Sequence, residues 1–348
     1  MKIQSLLDRY EILFPDNPKI ADLRRSVVDH DITSVFRLCR NDELRKAVVN
    51  GNLHSILRLV ENATISGSVE DLRKVTLNND VKALFRLLPN EYEDLRKAVV
   101  DKNIWSLFRI LDDCEEIRKI VVNENIYSTF RFLESVTDTY FTTTLKKLQT
   151  EKIKWNEDCF SRGQVQSKKW LIDQVTEHCK DLGTVYLCAG WYATLATMLF
   201  ESDLTVDKIR SFDIDPDVCL IAELFNHPWT ANEWKFKATT QDIMDIDFSE
   251  HNYQTMRDDG TFAKQMDMPD TIINTSFEHI KNYRLWWSCI PVGKLVIVQC
   301  NNYNELEEHV SCAKSLEHFG EMAPIRNLLY EGELKFEKYT RYMRIGYK

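Results

Sequence analysis

Apolar positions in the first part of the chain recur in short blocks rather than long runs. Five blocks align between residues 22 and 133: DLRRSVVDHDITSVFRLC, ELRKAVVNGNLHSILRLV, DLRKVTLNNDVKALFRLL, DLRKAVVDKNIWSLFRIL and EIRKIVVNENIYSTFRFL, opening at Asp22, Glu43, Asp71, Asp94 and Glu116. The spacings are 21, 28, 23 and 22 residues, and the longest holds the polar stretch 62–68, which reads as a loop. Each block carries two apolar stripes. In the fourth, Leu95, Ala98 and Val99 share one face, then Ile104, Leu107, Phe108 and Leu111 follow at i, i+3, i+4 and i+7. Between the stripes stands a recurrent capping residue: Asp31, Asn52, Asp80, Asn103, Asn125. The opening acid suits the positive end of the first helix. Helix pairs this short cannot bury their apolar faces alone, so a stack of α-solenoid type is predicted. Two arginine columns also recur, at 24, 45, 73, 96, 118 and at 37, 58, 86, 109, 131. They read as ion pairs between repeats against the opening acids rather than a phosphate-gripping ladder.

From residue 134 the pattern changes. Residues 137–144 are polar and β-branched, 145–154 suit a helix, and 166–180 form an amphipathic helix with Leu171, Val175 and Cys179 on its buried side. The domain boundary is placed near 150. Beyond it, apolar strand-like runs alternate with helical ones. The run 185–188 meets the Ala189-Gly190 bend, a helix follows through Phe200, and a second strand, 209–212, ends on Asp213. Next come a helix over 216–225, a third strand over 234–238, and a polar stretch ending in Asp242-Ile243-Met244. Residues 249–269, with Asp258-Asp259-Gly260, read as an insertion or lid. A fourth strand spans 270–274, a helix 283–290, a fifth strand 294–299 and a helix 305–316; strands over 334–339 and 341–346 close the chain as a hairpin. A strand, small-residue turn, helix, strand and acid in that order place a nucleotide-like ligand at the strand carboxyl ends, with the acid on a ribose diol. The small residues of the turn let backbone approach that ligand.

Composition narrows the class. The chain has 348 residues, 44% hydrophobic and 28% charged, ordinary for a globular protein with a sizeable core. The first 150 residues carry 23 basic and 23 acidic side chains, the remainder 22 and 31, so the net charge of −9 belongs to the second part. A basic footprint is missing, which argues against nucleic acid as partner. Nine cysteines without a CxxC pair read as reduced thiols. Neither a signal pattern nor an apolar run of about 18 residues occurs, so a cytoplasmic protein without a membrane partner is expected.

The order and spacing of residues 166–348 resemble a class I S-adenosylmethionine-dependent methyltransferase. The resemblance implies a Rossmann-like α/β fold over 151–348, a seven-stranded, mostly parallel sheet with an antiparallel terminal hairpin, preceded by an all-α helical-repeat domain over 1–150. It implies S-adenosyl-L-methionine as cofactor. Residues Cys188, Ala189, Gly190, Trp191 and Tyr192 match the loop that cradles its methionine part. Asp213 matches the acid on the ribose, with Asp215 close enough to exchange roles. Asp242 matches the acid facing the adenine amino group, with Ile243 beside the ring, and Asn274–His279 match the segment over the reacting methyl. The family's loop is glycine-rich after an acid in the first strand; here Leu187 replaces the acid and Gly190 stands alone.

Methyl transfer needs acceptor and methyl held about 3–3.5 Å apart, in line with the leaving sulfur, and an amine acceptor needs a group for its proton. Glu278 is assigned to orient or neutralise the acceptor and His279 to act as base or orienter, against the plain alternative of a helix cap and a packed ring. Asn301, Asn302 and Tyr303 end the fifth strand at the same mouth. Glu305, His309 and Cys312 share one face of the predicted helix and read as a solvated face, so no metal site is assigned. The expected acceptor is a small molecule, peptide or protein, with the repeats recognising it or forming a homo-oligomer. Transfer of an aminocarboxypropyl group from the same cofactor stays open, as does a repeat scaffold whose sheet domain has lost catalysis. A dinucleotide enzyme would need GxGxxG, which the chain lacks.

Overall fold

The computed structural model describes residues 1–256 and 259–348, in two compact units, Met1–Asp138 and Thr139–Lys348. The division falls before the expected boundary. The helix Tyr140–Thr150 belongs to the second unit, where Phe141 packs on Phe160 and Phe225.

In the first unit the five repeats are helix pairs, such as Asp42–Asn50 with Leu53–Leu59 and Glu93–Val100 with Ile104–Ile110. The recurrent polar residue caps the second helix of every pair: Asp31, Asn52, Asp80, Asn103 and Asn125 each accept from backbone N–H groups through the side chain. The apolar stripes of the fourth repeat are buried from Leu95 through Leu111. Both arginine columns are paired, mostly within their own helix pair, while Arg24 takes Asp8 and Glu11 of the preceding helix. The opening acid binds the arginine fifteen residues on, as in Asp22–Arg37 at 2.7 Å, Asp94–Arg109 at 2.6 Å and Glu116–Arg131 at 2.5 Å. The first column mostly takes the acid three residues back, as in Arg96–Glu93 at 2.7 Å. The stack is not an open solenoid. Pro18–Val28 packs on both Glu115–Val121 and Ile126–Val136, and the His30 ring lies 5.2 Å from that of Trp105. First and last repeats therefore share one core, where an open stack would keep them apart. Cys39 and Cys114 form a disulfide across 75 residues of sequence, correcting the expectation of reduced thiols throughout; the other seven form no disulfide.

The second unit holds a Rossmann-like α/β fold, a seven-stranded, mostly parallel sheet with an antiparallel terminal hairpin. Its strands, among the described residues, are β1 (Asp181–Cys188), β2 (Thr205–Asp213), β3 (Phe236–Thr240), β4 (His251–Met256), β5 (Phe262–Asp267), β6 (Thr271–Asn274), β7 (Leu295–Asn301), β8 (Asn327–Lys335) and β9 (Thr340–Tyr347). Seven form one sheet in the order β3-β2-β1-β6-β7-β9-β8. The first five are mutually parallel, and β9 runs antiparallel to β7 and β8. Central strands such as β7 are buried along their whole length, as continuous apolar runs require of a covered parallel sheet. The helices Thr194–Phe200 and Pro216–Phe225 connect β1 to β2 and β2 to β3. Strand order reverses between β1 and β6, the crevice position at which doubly wound sheets bind ligands.

Three expectations shift. Residues 305–315 form irregular chain, and the helix comes later, at Leu316–Met322, so the shared face of Glu305, His309 and Cys312 does not exist. The first hairpin strand begins at Asn327 rather than 334. The insertion is a separate two-stranded hairpin, β4 with β5, whose described residues wall no part of the cleft below; Arg257 and Asp258 lie outside the described residues. The hairpin is anchored to β2 by Arg210, fully buried, whose guanidinium donates to Asp267 at 2.6 Å, to the Tyr253 hydroxyl at 2.6 Å and to the Trp234 carbonyl at 2.9 Å.

Candidate active site

A cleft of about 1030 Å³ opens at the carboxyl ends of β1, β2, β6 and β7, with walls that include Ala189, Trp191, Asp213, Glu278, His279 and Asn301. The loop after β1 is wound tightly, with left-handed backbone at Ala189, Trp191 and Ala193 (φ 53°, 50° and 47°). Non-glycine residues rarely adopt this conformation, and runs of it concentrate at functional sites. The loop is tied to the end of β2. Gly190 N–H donates to the Phe212 carbonyl at 3.1 Å, and Trp191 N–H donates to Asp213 Oδ2 at 2.9 Å. Gly190 is required by packing: a Cβ there would meet Ser211 Oγ at 2.2 Å and the Leu187 side chain at 3.1 Å. The residue that sequence reading assigned to backbone approach of a ligand has its crowded side toward Ser211 and Leu187.

Asp213 is partly buried, with its second oxygen accepting from Asp215 N–H at 3.2 Å. Burial pushes its pKa up, against the lowering pull of these backbone donors. Asp215 itself caps the next helix through Asp217 N–H, a capping role distinct from that of Asp213. Trp191 and Tyr192 stack at 5.1 Å, Trp191 on the cleft wall and Tyr192 buried with its hydroxyl accepting from Asn156 N–H.

The remaining assigned residues support the cleft from outside its walls. The Cys188 thiol is buried in the core cluster, and burial raises its pKa well beyond the usual thiol range. Asn274, also buried, donates to the Cys188 carbonyl at 2.9 Å and so joins the ends of β1 and β6. Asp242 caps the short turn Ile243–Asp245 at the end of β3, and Ile243 packs against the core cluster.

Glu278 and His279 follow β6 in a single turn, Phe277–His279. Glu278 is 2% exposed. Its Oε1 accepts from Asn301 Nδ2 at 2.5 Å and lies 3.5 Å from the Arg341 guanidinium, while Oε2 has no hydrogen-bond partner. The His279 ring opens onto the cleft edge-on to His309, 4.7 Å away. Desolvation is the largest effect on His279 and lowers its pKa.

The cleft also draws on residues that sequence reading passed over, Asn156, Ser161 and Arg162 before and at the start of the helix Arg162–His178 and Tyr339 and Arg341 from the β8–β9 turn and β9, and on His309 of the irregular segment, which sequence spacing assigns to a solvated helix face. One signal was available, since Ser161 is a capping residue, and it does cap that helix through Gln164 N–H. The others come from distant stretches whose meeting no local pattern encodes.

No protein-family model matches the chain, and no curated protein matches it. Solved structures similar to it include the N-methyltransferase NodS from Bradyrhizobium japonicum WM9 in complex with S-adenosyl-L-homocysteine, 8% identical, covering 58% of this chain and 98% of that one at a TM-score of 0.40. Two others are a geranyl diphosphate methyltransferase in complex with SAM (10% identical, 53% and 86% covered, TM-score 0.36) and the MccD protein (11%, 51% and 96%, TM-score 0.37). The fold assignment rests on strand order and direction within this chain.

Proposed function

We propose that the second unit binds S-adenosyl-L-methionine and transfers its methyl group to a small-molecule, peptide or protein acceptor held in the cleft. The observation that carries this reading is Asp213. Its partly buried carboxylate ends β2 on the cleft wall, is tied to the left-handed loop after β1, and stands beside the switch point of the sheet. A carboxylate there suits two ribose hydroxyls. Ala189 and Trp191 would hold the methionine portion, and Glu278 and His279, on the same cleft, would face the acceptor. Asp242 and Ile243 would reach adenine from the end of β3. Since both arginine columns of the first unit are internally paired, its surface suits recognition of a protein or self-assembly better than a grip on phosphates.

The test is calorimetric titration with S-adenosylhomocysteine. Wild-type protein binds in the micromolar range, and Asp213→Ala loses at least about tenfold in affinity, the worth of a charge-assisted hydrogen bond. Glu278→Gln and His279→Ala keep cofactor affinity and lose turnover. A folded wild type that binds neither S-adenosylmethionine nor its product defeats the proposal.

A further inference from the structure

We propose that Glu278, His279 and His309 form a binding site for a divalent transition-metal ion on the cleft. One ligand atom from each lies within 4.8 Å of the others. Three donors around one ion at about 2.0–2.2 Å stand at most about 4.4 Å apart, so a small inward movement of side chains closes the site.

Three independent features point the same way. First, Glu278 is a buried carboxylate with one oxygen satisfied and the other orphaned. An unsatisfied buried acceptor is destabilising, more so when charged, unless a ligand completes it. The satisfied oxygen is held by Asn301, whose amide orientation is set in turn because its Oδ1 accepts from Tyr303 N–H at 2.8 Å. Second, His309 Nδ1 contacts the Tyr303 carbonyl. A carbonyl only accepts, so Nδ1 carries a proton and in the neutral ring Nε2 keeps the lone pair, the arrangement found when a metal-binding histidine is oriented by a backbone oxygen. Third, two imidazoles with one carboxylate is a donor set that zinc, iron and manganese enzymes use while leaving positions open. All three residues border the cleft. Arg341 compensates part of the Glu278 charge, which favours a dication held by neutral imidazoles over a hard ion that needs several carboxylates.

The site deepens the methyl-transfer reading and rests on it only for its purpose. With an ion in place, Glu278 and His279 would meet the acceptor through the metal, whose open positions take an oxygen of that acceptor and lower its pKa. The acceptor class is then a hydroxyl or another oxygen ligand.

The experiment uses the full chain, stripped with chelator and returned to chelator-free buffer. Zn²⁺, Co²⁺ and Mn²⁺ are titrated separately by calorimetry, with visible absorption for Co²⁺. The expected result is one equivalent bound, in the affinity order Mn²⁺ below Co²⁺ below Zn²⁺. His309→Ala, which alters only a partly exposed side chain in irregular backbone, weakens binding by more than about tenfold with an unchanged melting profile, and Glu278→Gln weakens binding as much, its melt recorded separately because it also alters the buried pair with Arg341. Absence of saturable uptake by folded wild type overturns the site, as does His309→Ala binding within about twofold of wild type. S-adenosylhomocysteine titrated into the metal-free protein separates the two ideas. Cofactor binding without metal uptake sinks the metal site alone, whereas metal uptake without cofactor binding leaves the site and sinks methyl transfer.

Discussion

Replacing Gly190 with alanine tests how the loop after β1 is held. The added Cβ would lie 2.2 Å from Ser211 Oγ and 3.1 Å from Cγ and Cδ2 of Leu187. Both neighbours are buried strand residues, Ser211 at 2% and Leu187 at 1% exposure, so neither has free space to yield into. Overpacking of this kind costs about 1–3 kcal/mol. Alanine also stiffens the unfolded chain, which returns about 0.4–1 kcal/mol because Gly190 is not in a left-handed conformation. The net expectation is a loss of about 1–2 kcal/mol, read as a fall of roughly 3–6 °C in the melting temperature of the sheet unit. The assay is scanning calorimetry of the full chain, combined with Ser211→Ala. Removing Oγ leaves only the 3.1 Å contacts, so Gly190→Ala should be nearly silent in the Ser211→Ala background, a coupling of about 1 kcal/mol. If Gly190→Ala melts with the wild type, or if the two changes simply add, the packing argument is wrong and the glycine serves something in the cleft instead.

Three further outcomes follow from other parts of the chain. Arg210→Met, by leaving Asp267 buried with only Lys208 and Tyr253 as partners, should cost about 3 kcal/mol in thermal unfolding of the sheet unit; an unchanged melt would mean the hairpin does not depend on this anchor. Cys39→Ser should lower the stability of the helical unit by about 2–4 kcal/mol, because the bond it removes closes 75 residues; denaturant unfolding of both forms without reductant decides it, and equal midpoints refute it. Asp213, whose pKa burial raises, should make cofactor affinity fall with decreasing pH earlier than an ordinary aspartate would, since the protonated acid cannot accept from both hydroxyls of a ribose. Titrations from about pH 7 to pH 4 should show this slope in the wild type and a weak, flat response in Asp213→Asn; a flat wild-type profile counts against the ribose role.

Local chemistry was legible in residue order wherever it depends on neighbours in the chain. The helix pairs and their caps could be read because Asp31, Asn52, Asp80, Asn103 and Asn125 act on N–H groups two or three residues away. The alternation of β and α runs, the acid ending β2 and the closing hairpin were readable for the same reason: apolar periodicity and turn residues act over short range. The misreadings came where distant groups compete. Residues 305–316 carry helical spacing, but the backbone there is drawn to partners elsewhere: Ser311 N–H to the Glu278 carbonyl and Ala313 N–H to that of Asn301. Repeat periodicity likewise suggests stacking without revealing that the first helix pair meets the last, since closure depends on the small rotation between successive pairs. Asn301, His309 and Arg341 come from an end of a strand, an irregular segment and a strand of the closing hairpin, and no spacing rule relates them to Glu278. Only the sheet order that sets β6 beside β7 and β7 beside β9 brings these side chains around one buried carboxylate, because hydrogen-bonded strands, not sequence neighbours, determine what shares a sheet edge.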